Sequence, residues 1–377
     1  MGENRSLREV AVIGAGLFRY GVYPEIPFTD MGTQAVNNAL KDAGVDWPDI
    51  ELGYCAYTNL GIASGHTLAR AIGANGITMT NLENASASGS AAFCEAYLAI
   101  ASGLYDLTIA IGIDKLKTYR QPKSEKGKQF NPKSNSNTRA MQDFASIARE
   151  YMSDSGTTID QLAMISVKNH FNGSLNPYAH FQKPVTLEEV KNAKMVAEPL
   201  TVLHCCPWDE GAAAVVLCAA ESAHKYTTLP CPRILASASS GNIGGTPLVD
   251  LTRLTALRAY EKAGLGPEDL NLIELHDAAA IEEIMYYEAL GLCQPGEGGK
   301  LIESGATAIN GRIPVNTSGG LISMGHPIGP TGLGQIAEIL WQIRGQAKQR
   351  QIAKIPKIGL AHMLGIGGVC FIHVLGL

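Results

Sequence analysis

Residues 319–327 read Gly319-Gly320-Leu321-Ile322-Ser323-Met324-Gly325-His326-Pro327, a glycine-flanked histidine turn, after which Pro330-Thr331-Gly332 opens an apolar helix. An earlier stretch answers it. Asn84-Ala85-Ser86-Ala87-Ser88-Gly89-Ser90-Ala91-Ala92-Phe93 is a small-residue turn that starts a helix at Ser86. Each turn and its helix, over 86–101 and 326–344, is followed by an apolar strand, at 107–112 and 358–361. The order also matches upstream. Helical stretches at 35–45 and 256–265 both end in Ala-Gly and then Val or Leu, with Asp-Ile or Asp-Leu four residues later. Unrelated stretches would not share this order, so the pattern implies an internal duplication.

Strands alternating with helices predict an α/β protein of two halves with mostly parallel sheets. One half is read as residues 1–114 with 204–240, the other as 241–377. Residues 115–203 form an inserted lobe that opens with a polar run, Lys115-Leu116-Lys117-Thr118-Tyr119-Arg120-Gln121-Pro122-Lys123, and carries helical patterns around 141–153 and 159–169. An insert this long commonly binds substrate; a stabilising excursion or a dimer contact is the alternative.

At 377 residues, 46% hydrophobic and 17% charged, the chain has the make-up of a soluble enzyme with a large core. A net charge of -5 gives no electrostatic reason for a nucleic-acid partner. No run reaches the roughly 18 consecutive apolar residues of a membrane span, and the N-terminus lacks a signal-peptide core, so a cytoplasmic protein is expected. The eight cysteines form no Cys-x-x-Cys pair and mostly lie in apolar runs. They read as reduced core thiols, with no metal site.

Three residues are candidates for chemistry. Ser86 sits at the start of a buried helix, where backbone N–H groups and the helix dipole favour negative charge. A serine there is either a nucleophile or simply a helix cap. His326, between Gly325 and Pro327, has small neighbours that let its ring project into a cleft. Pseudo-symmetry would bring the two helix starts together and face this ring with Ser86, a nucleophile–base arrangement. His276 ends the apolar strand Ile273-Glu274-Leu275, at the carboxyl end where α/β sheets bind ligands. Asp277 either orients a ring or caps the next helix, and Asn316 is a further polar group at a strand end.

Together these segments resemble the thiolase superfamily over essentially the whole chain, most closely the branch with the thiolase domain of sterol carrier protein x. The same branch is suggested by Val167-Lys168-Asn169-His170, Pro199-Leu200-Thr201, Cys205-Cys206-Pro207 and Asp209-Glu210-Gly211-Ala212-Ala213. The resemblance implies a thiolase fold, duplicated α/β halves in a layered αβαβα architecture with an inserted loop domain, assembled as a homodimer or higher oligomer. It implies acyl-CoA and CoA as substrates, with no metal or organic redox cofactor. Position 86 would take the acyl group with His326 as base, while His276 and His326 hold the thioester oxygen. Backbone N–H groups of Ser86 and Gly365 would form a second oxyanion hole. The branch also commonly works with a small zinc-ribbon and OB-fold partner.

For the CoA phosphates and the acyl pocket, the candidates are Lys115, Arg120, Lys123, Lys168, Asn316, Met324 and Met363, with Tyr119, Phe144 and Phe171 as further lining. Three departures stand against the family pattern. Ser86 replaces the nucleophilic cysteine, Ala278 replaces an acid/base cysteine after the His-Asp pair, and Met363-Leu364-Gly365 replaces a Cys-x-Gly turn. Three explanations remain open. The serine was introduced into a natural cysteine enzyme and traps a complex before acyl transfer, or it is native to a reaction without an acyl-enzyme, such as retro-aldol cleavage of a β-hydroxyacyl-CoA. In the third, the chain is a non-catalytic acyl-CoA-binding subunit. Claisen-type acyl transfer is the favoured family chemistry, slowed here because an alcohol is a poorer nucleophile than a thiolate.

Overall fold

In the computed structural model, which describes residues 7–116, 136–242 and 244–377, strands and helices alternate in two runs. The first is β1 (Val10–Gly21), α1 (Phe28–Ala43), β2 (Leu52–Ala56), α2 (Ser64–Ile72), β3 (Thr78–Leu82), α3 (Ser88–Ala101) and β4 (Leu107–Asp114). An excursion follows with α4 (Ser136–Ser155), α5 (Ile159–Ser174), α6 (Leu187–Asn192), β5 (Met195–Ala197) and β6 (Leu200–Thr201), and β7 (Glu210–Ala219) returns to the first run. The second run holds β8 (Arg233–Gly241), α7 (Leu248–Ala263), β9 (Leu272–Glu274), α8 (Ala280–Ala289) and α9 (Gly298–Glu303). It ends with α10 (Gly320–Ser323), α11 (Thr331–Ile343), β10 (Ile358–Gly365) and β11 (Val369–Gly376).

The main sheet is ordered β3-β2-β4-β7-β1-β8-β11-β10-β9. Outward from its middle, β1-β7-β4-β2 is mirrored by β8-β11-β10-β9, with the two halves joined by one residue pair, Ala11–Arg233. The duplication extends to local chemistry. Helices α1 and α7 both end on a left-handed glycine, Gly44 at φ 72° and Gly264 at φ 66°, whose N–H groups close the last helical turns. The sheet is mixed rather than mostly parallel. β2–β3, β2–β4 and β9–β10 are parallel, whereas β4–β7, β1–β7, β8–β11 and β10–β11 are antiparallel. The β10–β11 reversal follows from connectivity: a tight turn between Gly365 and Val369 joins the two strands, and strands joined so closely must reverse.

Helices α3 and α11 form a central layer, with Phe93, Ile100, Leu333 and Leu340 in one cluster with Val12, Ala361 and Leu375 from both halves of the sheet. Helix α1 covers the outer face of the first half and α7 that of the second, which gives the five αβαβα layers. No helix among the described residues is long and apolar enough to cross a membrane.

The central helices cross through glycine. A Cβ on Gly89 would lie 2.6 Å from the Gly329 carbonyl oxygen, and one on Gly332 would lie 2.3 Å from Ser90 Oγ. These contacts set how closely Ser86 and His326 approach. Gly89→Ala is therefore expected to destabilise the fold by about 1–3 kcal/mol through overpacking against backbone, measured by denaturant unfolding.

Candidate active site

Helix α3 begins at Ser88, two residues after Ser86, and its N-cap residue Ala87 makes no side-chain capping bond. The turn is held by Ser88, whose Oγ accepts from Asn84 N–H at 2.8 Å and donates to Ala85 O at 2.6 Å. Ala85 lies at φ 48°, a conformation that costs a non-glycine residue free energy and is commonly found at functional sites. Ser86 is thus no helix cap. Its hydroxyl, almost buried, faces His326 Nε2 at 3.0 Å.

The tautomer of His326 follows from its other neighbour. Thr331 at the start of α11 donates its only hydroxyl proton to Pro327 O at 2.6 Å, so Thr331 Oγ1 accepts at 2.9 Å from His326 Nδ1–H. That leaves Nε2 as the lone-pair nitrogen facing the Ser86 hydroxyl. Burial, and then the neighbouring His276 ring, push the His326 pKa well down, so the ring is a neutral base. Its backbone N–H donates to Asp209 Oδ1 at 2.9 Å, while Asp209 Oδ2 pairs with His180 Nδ1 at 3.2 Å. Gly325, at φ 117°, lets the carboxylate in: a Cβ there would sit 2.0 Å from Asp209 Oδ2.

His276 has a different partner. Its Nδ1 lies 3.1 Å from Glu282 Oε1, and that carboxylate also accepts from Tyr286 O–H at 3.0 Å and Ala279 N–H at 3.1 Å. His276 Nε2 is buried and has no hydrogen-bond partner among the described residues. The ring stands at 90° to that of His326, centroids 5.6 Å apart. The strand end that carries His276 is pinned by Asn316, at φ 54°, whose Oδ1 accepts from Leu275 N–H at 2.8 Å and whose N–H donates to Ile273 O. Asp277 neither orients the ring nor caps α8; its carboxylate accepts from Leu321 N–H and Asn169 Nδ2 instead.

Ser86, His276 and His326 share a cavity of about 440 Å³, walled by Phe144, Phe181 and Val196 from the excursion and by Trp208 and Ile328. Gly365 brings the β10–β11 turn beside the Ser86 loop, where a Cβ would lie 2.4 Å from Asn84 O. A larger cleft of about 920 Å³ lies beyond Phe144; it reaches Glu282 and Tyr286 but neither Ser86 nor His326.

Other predicted residues do not reach the cavity. Lys168 is buried and pairs with Glu283 at 2.6 Å while donating to Val315 O at 2.7 Å, so its charge is spent inside the fold. Lys115 is held by Tyr23 O and Glu210. Asn316 supports from behind. Met324 packs in the central layer, and Met363 packs under the turn with Ala87, Ala91 and Phe371, because β10 points it away from the cavity. Phe171 is nearly half exposed and is not on the wall. Tyr119, Arg120 and Lys123 lie outside the described residues. Sequence reasoning missed Thr331 and Glu282, although Thr331 stands five residues after His326 and Glu282 six after His276. Among the described residues, no cluster of three His, Cys, Asp or Glu side chains is placed to hold a metal ion.

The thiolase N-terminal domain model matches residues 10–221, and the thiolase C-terminal domain-like model matches residues 245–375. The chain is 40% identical to an acetyl-CoA acetyltransferase of Methanothermobacter thermautotrophicus over 385 residues, covering 98% of this chain and 99% of the relative. It is 35% identical to the benzoylsuccinyl-CoA thiolase subunit BbsB of Thauera aromatica, covering 96% and 95%. Sterol carrier protein 2 of Oryctolagus cuniculus matches at 34% over 97% of this chain and 71% of its own length. The solved Ltp2-ChsH2(DUF35) aldolase shares the fold, with a TM-score of 0.83 at 22% identity over 98% of this chain and 97% of that one. The chain belongs to the thiolase family, and so to a family of acyltransferase enzymes.

Burial pushes the Asp209 carboxyl up to about 7, against the pull of His180 and the His326 N–H. A carboxyl raised on folding contributes stability below its unfolded pKa and loses that contribution as pH rises through the folded value. Relative to Asp209→Asn, the unaltered protein is therefore expected to lose stability between about pH 4 and pH 7, read by denaturant unfolding across that range.

Proposed function

We propose that the chain acts on acyl-CoA thioesters by Claisen-type acyl exchange, either thiolytic cleavage of a 3-ketoacyl-CoA or the reverse condensation. The observation that carries this reading is the Ser86 hydroxyl 3.0 Å from a His326 nitrogen whose lone pair is fixed by Thr331. His326 takes the proton as Ser86 Oγ attacks the acyl carbonyl carbon. His276 Nε2, buried and unpaired beside it, donates to the thioester oxygen when the ring carries a proton there, and Glu282 holds the opposite nitrogen. Backbone N–H groups of Ser86 and Gly365 receive the oxygen of the acyl-transfer intermediate. CoA enters as co-substrate, and the proposed steps call on no redox group or metal.

The weak point of this machinery is the nucleophile. An alcohol needs nearly complete proton removal to attack, whereas a thiol is partly ionised and intrinsically more nucleophilic. Acyl transfer at Ser86 is accordingly slow. Phosphate binding falls to the basic run that includes Arg120 and Lys123, with Lys115 at its edge. We also propose a homo-oligomer and a second, small subunit. Two of the similar proteins carry names of that kind, a thiolase subunit and a two-component aldolase.

Ser86→Cys tests the reading. Incubated with short and aromatic acyl-CoAs, the cysteine form is expected to gain the acyl mass more than about tenfold faster than the unaltered chain, a barrier difference of at least about 1.4 kcal/mol. Equal rates would make the serine a full nucleophile. Acylation of neither form would contradict the acyl-enzyme and move the case to retro-aldol cleavage or a binding subunit.

A further inference from the structure

Claisen chemistry needs more than a nucleophile and its base. When the acyl group leaves, a proton must be delivered to the α-carbon of the departing thioester enolate. The acid/base groups on the cavity wall are Ser86, His276, His326, Asp114, Asp209, Cys205 and Cys206. Most are committed. His326 serves Ser86, and His276 Nε2 faces the thioester oxygen. Asp114 accepts from the N–H groups of Thr58, Asn59 and Gly329, and Asp209 from His326 N–H and His180. Cys205 belongs to the hydrophobic core and donates to Thr201 O at 3.5 Å.

Cys206 is left. Its Sγ makes no hydrogen bond among the described residues. Its backbone is laced to the segment that carries His276: Cys206 N–H donates to Ala278 O at 2.9 Å, and Cys205 pairs with Ala279. Cys206 and the small Ala278 line the same cavity as Ser86, His276 and His326. His276 Nε2, buried and without a partner among the described residues, belongs to the same cavity wall, and on the proposed reading it is there that the thioester oxygen and the neighbouring α-carbon would sit.

We propose that Cys206 is the acid/base at the substrate α-carbon, resting on the reading of this cavity as an acyl-CoA site. In the cleavage direction the Cys206 S–H bond breaks, a C–H bond forms at the α-carbon, and the enolate oxygen returns to a carbonyl. The Cys206 thiolate then takes the proton of the incoming CoA thiol. The resulting CoA thiolate attacks the Ser86 ester, and Ser86 recovers its proton from His326. Burial, followed by the charge of Asp209, pushes the Cys206 thiol well above its ordinary pKa, which suits a group that holds its proton until an enolate takes it.

Deuterium exchange from solvent into the α-carbon of acetyl-CoA reads this step without acyl transfer. The unaltered chain is expected to exchange; Cys206→Ala should slow it about a hundredfold, and Cys94→Ala on α3 should leave it within about twofold. Adding Ala278→Cys to Cys206→Ala is expected to restore exchange from the adjacent position. Cys206→Ser keeps the side-chain volume and gives the same answer if the alanine form does not fold. Retained exchange in Cys206→Ala or Cys206→Ser, or none in the unaltered chain, overturns the inference. Intact mass of Ser86→Cys with the same acetyl-CoA separates the two levels. If it acylates, a failed exchange result rejects Cys206 alone; if it does not, the acyl-transfer reading falls as well.

Discussion

The site depends on two helices crossing at a distance that only glycine permits. At the crossing, α3 presents Gly89 to the Gly329 carbonyl and α11 presents Gly332 to Ser90. Helix axes carrying larger side chains would be forced apart by the thickness of those groups. The serine and the histidine each stand a few residues before one of these helices, so the closeness of the crossing becomes the 3.0 Å contact between Ser86 and His326. Duplication supplies the symmetry, and the glycines supply the approach.

Around that contact, the two histidines are made unlike by their second partners. His326 faces a neutral threonine hydroxyl in a buried setting and is a neutral base. His276 faces a carboxylate fixed by two further donors, and its buried Nε2 has no partner among the described residues. Behind them lies a buried polar framework. Lys168, Asn169 and Asn316 converge on Glu283, and Arg350 and Gln342 on Glu338. Breaking such a buried pair costs several kcal/mol because one charge is left unpaired, about 3–5 for typical cases. Thr317 joins this framework to both Glu274 at the end of β9 and Glu338 on α11, so the two elements are tied together behind the site.

The sequence made the duplicated order of elements legible, because apolar periodicity and the glycine ends of α1 and α7 are local signals. Ser86, His326 and His276 were legible for the same reason: each stands at a helix start or a strand end. What depended on contacts across the chain was not. Lys168 looks like a phosphate-binding cation until Glu283, 115 residues away, is found against it. Met363 follows the alternation of β10 into the core, and the strand's facing cannot be known before its neighbours are. Thr331 and Glu282 carry ordinary local signals of helix starts, and only the packed rings reveal them as partners of the histidines. The mixed sheet was hidden because an excursion separates β4 from β7, and the direction of return is a tertiary fact.

On the proposed reading, one cavity holds a thioester carbonyl between Ser86 and His276. The most direct measurement is a crystal structure of the unaltered chain with an acyl-CoA analogue in which a methylene replaces the thioester sulfur. The carbonyl oxygen is expected within hydrogen-bond distance of His276 Nε2, with the carbonyl carbon against Ser86 Oγ and the Ser86–His326 contact intact. An analogue seated instead in the larger cleft beyond Phe144, with its carbonyl away from both histidines, would contradict it.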